Sequence, residues 1–104
     1  MDTLREIVHR VIKEYAVDGA NFVSSLTIRP DGNLFTVVDF AVDNKGRRFV
    51  ATSIVTELVG NYIVIEYDDN DKPLVDALVQ AGIPREQIIL TYAGESLQEI
   101  SPSR

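Results

Sequence analysis

The sequence predicts an α+β fold in the order α-β-β-β-β-α-β: an N-terminal helix, a four-stranded antiparallel meander, a second helix and a final strand. Three observations carry this expectation. Apolar residues near the N-terminus recur with a helical period. Those between Phe22 and Tyr67 fall in short runs broken by turn residues. A second helical stripe then precedes one last apolar run, Ile88-Ile89-Leu90-Thr91-Tyr92.

The first helix rests on Leu4, Ile7, Val8, Val11, Ile12 and Tyr15, which share one helical face. Thr3 and Glu6 have capping-box spacing, so each side chain can satisfy the other's backbone N–H. Asp18-Gly19 is expected to end this helix. Arg5, Glu6, Arg10, Lys13 and Glu14 make its solvated side. Strand one is expected over 22–29, followed by the turn Pro30-Asp31-Gly32-Asn33, where Pro fixes φ and Gly supplies a positive one. Strand two, 34–42, puts Leu34, Thr36, Val38, Phe40 and Val42 on one face and Phe35, Val37, Asp39 and Ala41 on the other. Asp43-Asn44-Lys45-Gly46 turns the chain into strand three, 47–58, whose length predicts a bend or bulge. Val59-Gly60-Asn61 leads back into strand four, 62–67. Short turns imply hairpins, hence an antiparallel meander.

The acidic run Asp68-Asp69-Asn70-Asp71 precedes the second helix, 73–81, with Asp71 as its expected N-cap and Pro73 in its first turn. Leu74, Val75, Leu78 and Val79 form the buried stripe. Gly82 fits the position just past the helix, Ile83 supplies the hydrophobic contact beyond it, and Pro84 prevents continuation. The final run is apolar on both faces, as a buried strand requires. From Ala93 onward the chain turns polar, and 93–104 is expected to form a mobile tail. With 104 residues and no internal repeats, residues 1–104 read as a single domain.

Composition narrows the function classes. The chain has no cysteine, which excludes a disulfide framework and a thiolate metal site. No stretch approaches the ~20 apolar residues of a membrane span, and the N-terminus lacks the basic start and apolar run of a signal peptide. A cytoplasmic protein without membrane contact is expected. Sixteen acids against ten bases give a net charge of −6. Phosphate backbones attract proteins through Lys and Arg, so direct DNA binding by a monomer is not expected.

No catalytic constellation is visible. The one histidine, His9, lies at the edge of the first helix's apolar stripe, where a structural role is the ordinary one. Ser24 and Ser25 lack the G-x-S-x-G context of a nucleophile elbow. Asp39 and Glu66 are the carboxylates that an acid–base enzyme would draw on, but a mid-strand Asp39 facing solvent accounts for its position equally simply. Counted as an EF-hand loop from Asp68, the Gly and Glu positions hold Pro73 and Val79, so the loop fails. No glycine-rich phosphate loop is present. No cofactor or metal is expected. The richest polar cluster is Asp43-Asn44-Lys45-Gly46-Arg47-Arg48-Phe49. Asp43 and Arg47 can pair across the hairpin, and an Arg beside an aromatic is a common protein-contact element.

Three segments resemble one known family. The first helix ends in Lys13-Glu14-Tyr15. An acid-turn-Arg-aromatic pattern spans Val42-Asp43-Asn44-Lys45-Gly46-Arg47-Arg48-Phe49. A helix-Gly-apolar-Pro-basic-acid-strand pattern runs from Leu78 through Gly82-Ile83-Pro84-Arg85-Glu86 to Leu90. Over about residues 4–92 the chain is similar to the XisI-like family, the fdxN element excision-controlling factor proteins of cyanobacteria. It departs from that pattern at Val42, where members carry Trp, at Asp68-Asp69-Asn70-Asp71, and after Ala93. The resemblance implies a non-enzymatic accessory or regulatory protein that acts through protein–protein contact in the excision of a DNA element, with a nuclease-like XisH-type protein as a partner. Asp43, Arg47, Phe49, Glu66, Asp68, Gly82 and Pro84 are the positions expected to carry family contacts or motifs. A DNA-binding oligomer, with Lys45, Arg47 and Arg48 aligned across subunits, and a small enzyme using carboxylates are the alternatives. A five-stranded sheet covered by two helices leaves surface to cover, so a homo-oligomer, a dimer in the first instance, is expected.

Overall fold

In the computed structural model, residues 3–96 are described. Helix α1 (Leu4–Lys13) starts at a capping box: Thr3 Oγ1 accepts from the Glu6 N–H and Glu6 Oε1 accepts from the Thr3 N–H. It ends before Asp18-Gly19. Glu14 is the C-cap, and Tyr15 and Ala16 close with tighter bonds to the carbonyls of Ile12 and Lys13. Asp18 serves β1 instead, as described below. Arg5 is not merely solvated: it donates to the Gly32 carbonyl and to Asn33 Oδ1 (2.8 Å), tying α1 to the first strand turn.

The strands are β1 (Phe22–Ile28), β2 (Leu34–Val42), β3 (Arg48–Val59), β4 (Tyr62–Asp68) and β5 (Ile88–Leu90). They lie in one sheet in chain order, β1-β2-β3-β4-β5. The first four pair antiparallel, and β5 pairs parallel to β4 through helix α2 (Leu74–Gln80). Both helices cover the same face. There Val8, Val11 and Ile12 of α1 and Leu74 and Leu78 of α2 meet Phe35, Val37, Ile54, Leu58, Ile63, Ile65 and Ile88 from the sheet.

The end of α2 follows the sequence. The Ile83 N–H bonds to the Leu78 carbonyl and the Gly82 N–H to the Val79 carbonyl, with Gly82 at φ +103°. This is the Schellman pattern, and the buried Ile83 and Leu78 provide its apolar contact. The start of α2 differs from expectation. Pro73 occupies the cap position and has no side chain able to accept. Asp68, not Asp71, supplies the acceptor: its Oδ2 takes the Leu74 N–H at 2.6 Å. The final strand stops at Leu90, and Thr91–Ala93 form a 3-10 turn. Glu95 is anchored to this end, accepting from the Leu90 N–H and from Arg85. The tail expectation beyond it, 97–104, lies outside the described residues.

Two β-bulges shape the sheet. Val37 opposes Ile54 while Val38 opposes Thr52, leaving Ser53 as an extra residue on β3. Val55 opposes Tyr67 while Thr56 opposes Ile65, leaving Glu66 extra on β4. The first realises the bulge that the length of β3 predicted. The helices cover only part of the sheet. The radius of gyration is 14.7 Å and the extents are 50 × 31 × 26 Å, against a radius of about 13 Å for a compact 100-residue domain. The excess reflects an arm: the start of β1, the end of β2 and the start of β3, projecting past both helices and joined at its tip by the Asp43–Arg47 turn.

Candidate interaction surface

The arm is where apolar side chains stay in solvent. Its strands register as two sets of cross-strand rows. On the face away from the helices, Val23, Phe40 and Val50 stand side by side, with Val42 beside them. Their exposures are 55, 45, 63 and 45%. On the face toward the helices, Phe22, Ala41 and Phe49 form the equivalent row, and Phe49 is 49% exposed. The Phe22 ring lies over Gly19, where a Cβ would stand 2.1 Å from it. A groove of about 650 Å³ runs along this end, lined by Phe22, Val23, Phe40 and Val42 with Arg48 at its margin.

The hairpin tip is built around Asp43. Its Oδ1 accepts the N–H groups of Lys45 (2.8 Å) and Arg47 (2.9 Å), and its Oδ2 accepts from Arg47 Nε (2.9 Å). The Arg47 N–H, more than any other group, holds the Asp43 carboxyl below its ordinary pKa, with Lys45 N–H and the guanidinium adding to it. Arg47 is thereby partly committed to shaping the turn, while Lys45 and Arg48 project from an exposed tip.

The predicted site residues therefore divide into three places. Asp43, Arg47 and Phe49 share the arm. Glu66 and Asp68 belong to β4, the former as a bulge residue that accepts from Thr91 Oγ1, the latter as the cap of α2. Gly82 and Pro84 form the α2–β5 junction. These groups do not converge on one concavity. Asp39 faces the helix side, between Ser24 and Ala51, in the stretch of β2 that the helices do not reach, and it is half-buried rather than turned to open solvent. It is separated from Glu66 by β3. Among the described residues no group of three or more His, Cys, Asp or Glu side chains is placed to hold a metal, and no helix is long and apolar enough to cross a membrane. His9 is exposed, its ring tilted 42° at 6.2 Å from that of Phe35.

Sequence reasoning missed the role of Asp18 and Asn70. Asp18 Oδ1 accepts the Ser24 N–H at 2.9 Å, occupying a donor on the outer edge of β1. Asn70 holds the β3 bulge: it accepts from Ser53 Oγ and donates to the Ser53 carbonyl and to Asp68 Oδ1. Asp and Asn in loops beside strands are the usual local acceptors, but which strand they serve depends on the tertiary fold.

The model of the XisI protein family matches residues 1–102. The chain belongs to the XisI family. No curated protein sequence matches it. Among solved structures it is similar to a XisI-like protein from Anabaena variabilis, at 21% identity and a TM-score of 0.70, covering 83% of this chain and 81% of that one. It is also similar to the fdxN element excision controlling factor XisI from the same organism, at 23% identity and a TM-score of 0.65, covering 91% and 92%. At these identities the likeness establishes the fold, which is the α+β arrangement that the sequence predicted.

Proposed function

We propose that this chain is a non-enzymatic accessory factor in the excision of a DNA element and that it acts by binding another protein. The observation that carries the reading is the arm, a projecting pair of sheet faces with phenylalanines in solvent, while among the described residues the carboxylates and the histidine do not gather into a reaction site. Exposed aromatics flanked by a preorganised Arg are the usual anchors of protein contacts. Phe49, beside the Asp43–Arg47 turn, is the anchor for the partner. Family membership supports the excision context, and the resemblance supplies a candidate partner, a nuclease-like protein of the XisH type. A net charge of −6 suits contact with a basic, nucleic-acid-handling protein.

The test is direct titration of the purified chain with a XisH-type protein from the same genome, after nuclease treatment. Binding at micromolar concentration that Phe49→Ala weakens at least about tenfold supports the reading. No binding at such concentrations, or binding that requires DNA and falls steeply as salt is raised, refutes it.

A further inference from the structure

We propose that the face of the arm turned away from the helices packs against the same face of a second copy of this chain. This goes beyond the accessory reading and does not depend on it: the surface is the Val23–Phe40–Val50 row, not the Phe49 side. Four observations lead here. The first is the composition of β2. Leu34, Val38, Phe40 and Val42 lie on the outer face, and Phe35, Val37 and Ala41 on the inner one. A strand that is apolar on both sides is the pattern of one covered on both sides, yet Phe40 and Val42 remain 45% exposed.

The second is that single backbone groups on both outer strands of the sheet are already engaged. Asp18 occupies the Ser24 N–H on β1, Glu95 occupies the Leu90 N–H on β5, and Arg85 occupies the Ile88 carbonyl. An added strand finds its hydrogen-bonding groups taken at these points, which leaves the faces and the short β3 edge of the arm, Arg48–Thr52, for association. The third is charge. On a chain of net charge −6, the outer face of the arm carries Arg48 at its margin and otherwise Val, Phe, Ser and Thr. A partner selected by its basic charge would need acids on this face. What complements an uncharged, pleated apolar face is another such face, and the chain itself possesses one.

The fourth is size. Three strands about 4.8 Å apart and, within the arm, some five residues long at about 3.4 Å each give a face on the order of 250 Å² in plan. The accessible surface of its side chains exceeds that, which places it at or below the ~800 Å² per partner of a standard interface. Two such faces packing as sheets about 10 Å apart would therefore form a modest, micromolar dimer. Because two copies of charge −6 repel, added salt tightens the dimer, the reverse of a contact held by charge.

The experiment is sedimentation equilibrium of the full chain from about 1 to 500 µM, the range in which a modest interface is read out. Val50 is 63% exposed, so Val50→Glu leaves the core intact. The wild type is expected to dimerise with a constant that falls as salt rises, Val50→Glu to raise that constant at least about a hundredfold, and Val79→Glu, on α2 at a position that is 43% exposed rather than part of the buried stripe the sequence predicted, to leave it unchanged. If circular dichroism shows Val50→Glu unfolded, Val42→Glu on the same face replaces it. A monomeric wild type at the highest concentration, a Val50→Glu chain that dimerises like wild type, or a Val79→Glu chain that does not, overturns the proposal. Titration of Val50→Glu with the XisH-type protein separates the two readings, since loss of the dimer leaves the Phe49 contact in place.

Discussion

Thr56 sits in the centre of the sheet on the helix-covered face, fully buried between Phe35 on β2 and Ile65 on β4. Its Oγ1 has no hydrogen-bond partner among the described groups. A buried hydroxyl without a partner forfeits its interaction with water, at a cost of about 1–3 kcal/mol. Val has nearly the same shape, keeps β-branching and replaces the hydroxyl with a methyl. Thr56→Val is therefore expected to stabilise the chain by about 1–3 kcal/mol, which corresponds to roughly 4–8 °C in Tm per kcal/mol for a domain of this size. Thr56→Ser keeps the hydroxyl, removes a packed methyl and is expected to destabilise by about 1 kcal/mol. Urea denaturation read by circular dichroism gives both changes as midpoint shifts of opposite sign at unchanged slope. A lowered midpoint for Thr56→Val would show that the hydroxyl is satisfied in solution and that the energetic reasoning is wrong.

Three further outcomes follow from the same structure. Asn70→Ala removes three partly buried hydrogen bonds to Ser53 and Asp68, two of them long at 3.2 and 3.4 Å; a loss of about 1–2 kcal/mol is expected, with amide exchange quickening around the Ser53 bulge before it does in the helices. Gly82→Ala places a Cβ in open space but at φ +103°, so the strain alone is expected to cost about 1–3 kcal/mol in a thermal melt; an unchanged Tm contradicts this. Asp31, Asp43 and Glu95 are all held below their ordinary pKa, chiefly by the Arg29 guanidinium, the Arg47 N–H and the Leu90 N–H in turn. A depressed carboxyl stabilises the fold above its unfolded value, 3.8 for Asp and 4.5 for Glu, and that contribution is lost as pH falls through the lower folded value. Urea midpoints should accordingly decline below pH about 4, and Asp43→Asn should flatten part of that decline.

Much of the fold was legible because local signals and tertiary demands agreed. The Thr3–Glu6 capping box, the Gly82-Ile83 helix end and the bounds of β2 each depend on residues adjacent in the chain. What was not legible depends on which distant groups meet. Asp71 has the composition of a cap for α2, but Asp68 emerges from β4 with its carboxylate already beside the Leu74 N–H. Asp18 has the composition of a helix stop, yet the unpaired edge of β1 claims it. The positions singled out for contact split for the same reason: Glu66, Asp68, Gly82 and Pro84 carry visible local structure in bulge, cap and junction, whereas Asp43, Arg47 and Phe49 alone share an exposed surface.

The bulge at Ser53 decides what the arm presents. Strand side chains alternate faces, so a single extra residue reverses every side chain on one side of it relative to the partner strand. Beyond the bulge, Ile54, Thr56 and Leu58 point into the core. An unbroken β3 would carry Thr52, Val50 and Arg48 onto that same helix-side face and turn Phe49 and Ala51 outward. With Ser53 inserted, Val50 joins Val23 and Phe40 on the outer face, while Phe49 aligns with Phe22 on the inner one. The outer row that the dimer proposal uses and the separate placement of Phe49 thus have one local cause. That cause is held in place by Asp69 and Asn70, through the Asp69 N–H to the Ser53 carbonyl at 3.0 Å and the Asn70 side chain. The acidic run that fails as an EF-hand loop is therefore the clamp that sets the register of the contact surface, and Asp68 at its head fixes α2 as well. Changes in 68–70 should reach the arm without touching it, because the bulge, not the tip, determines which face each arm residue occupies.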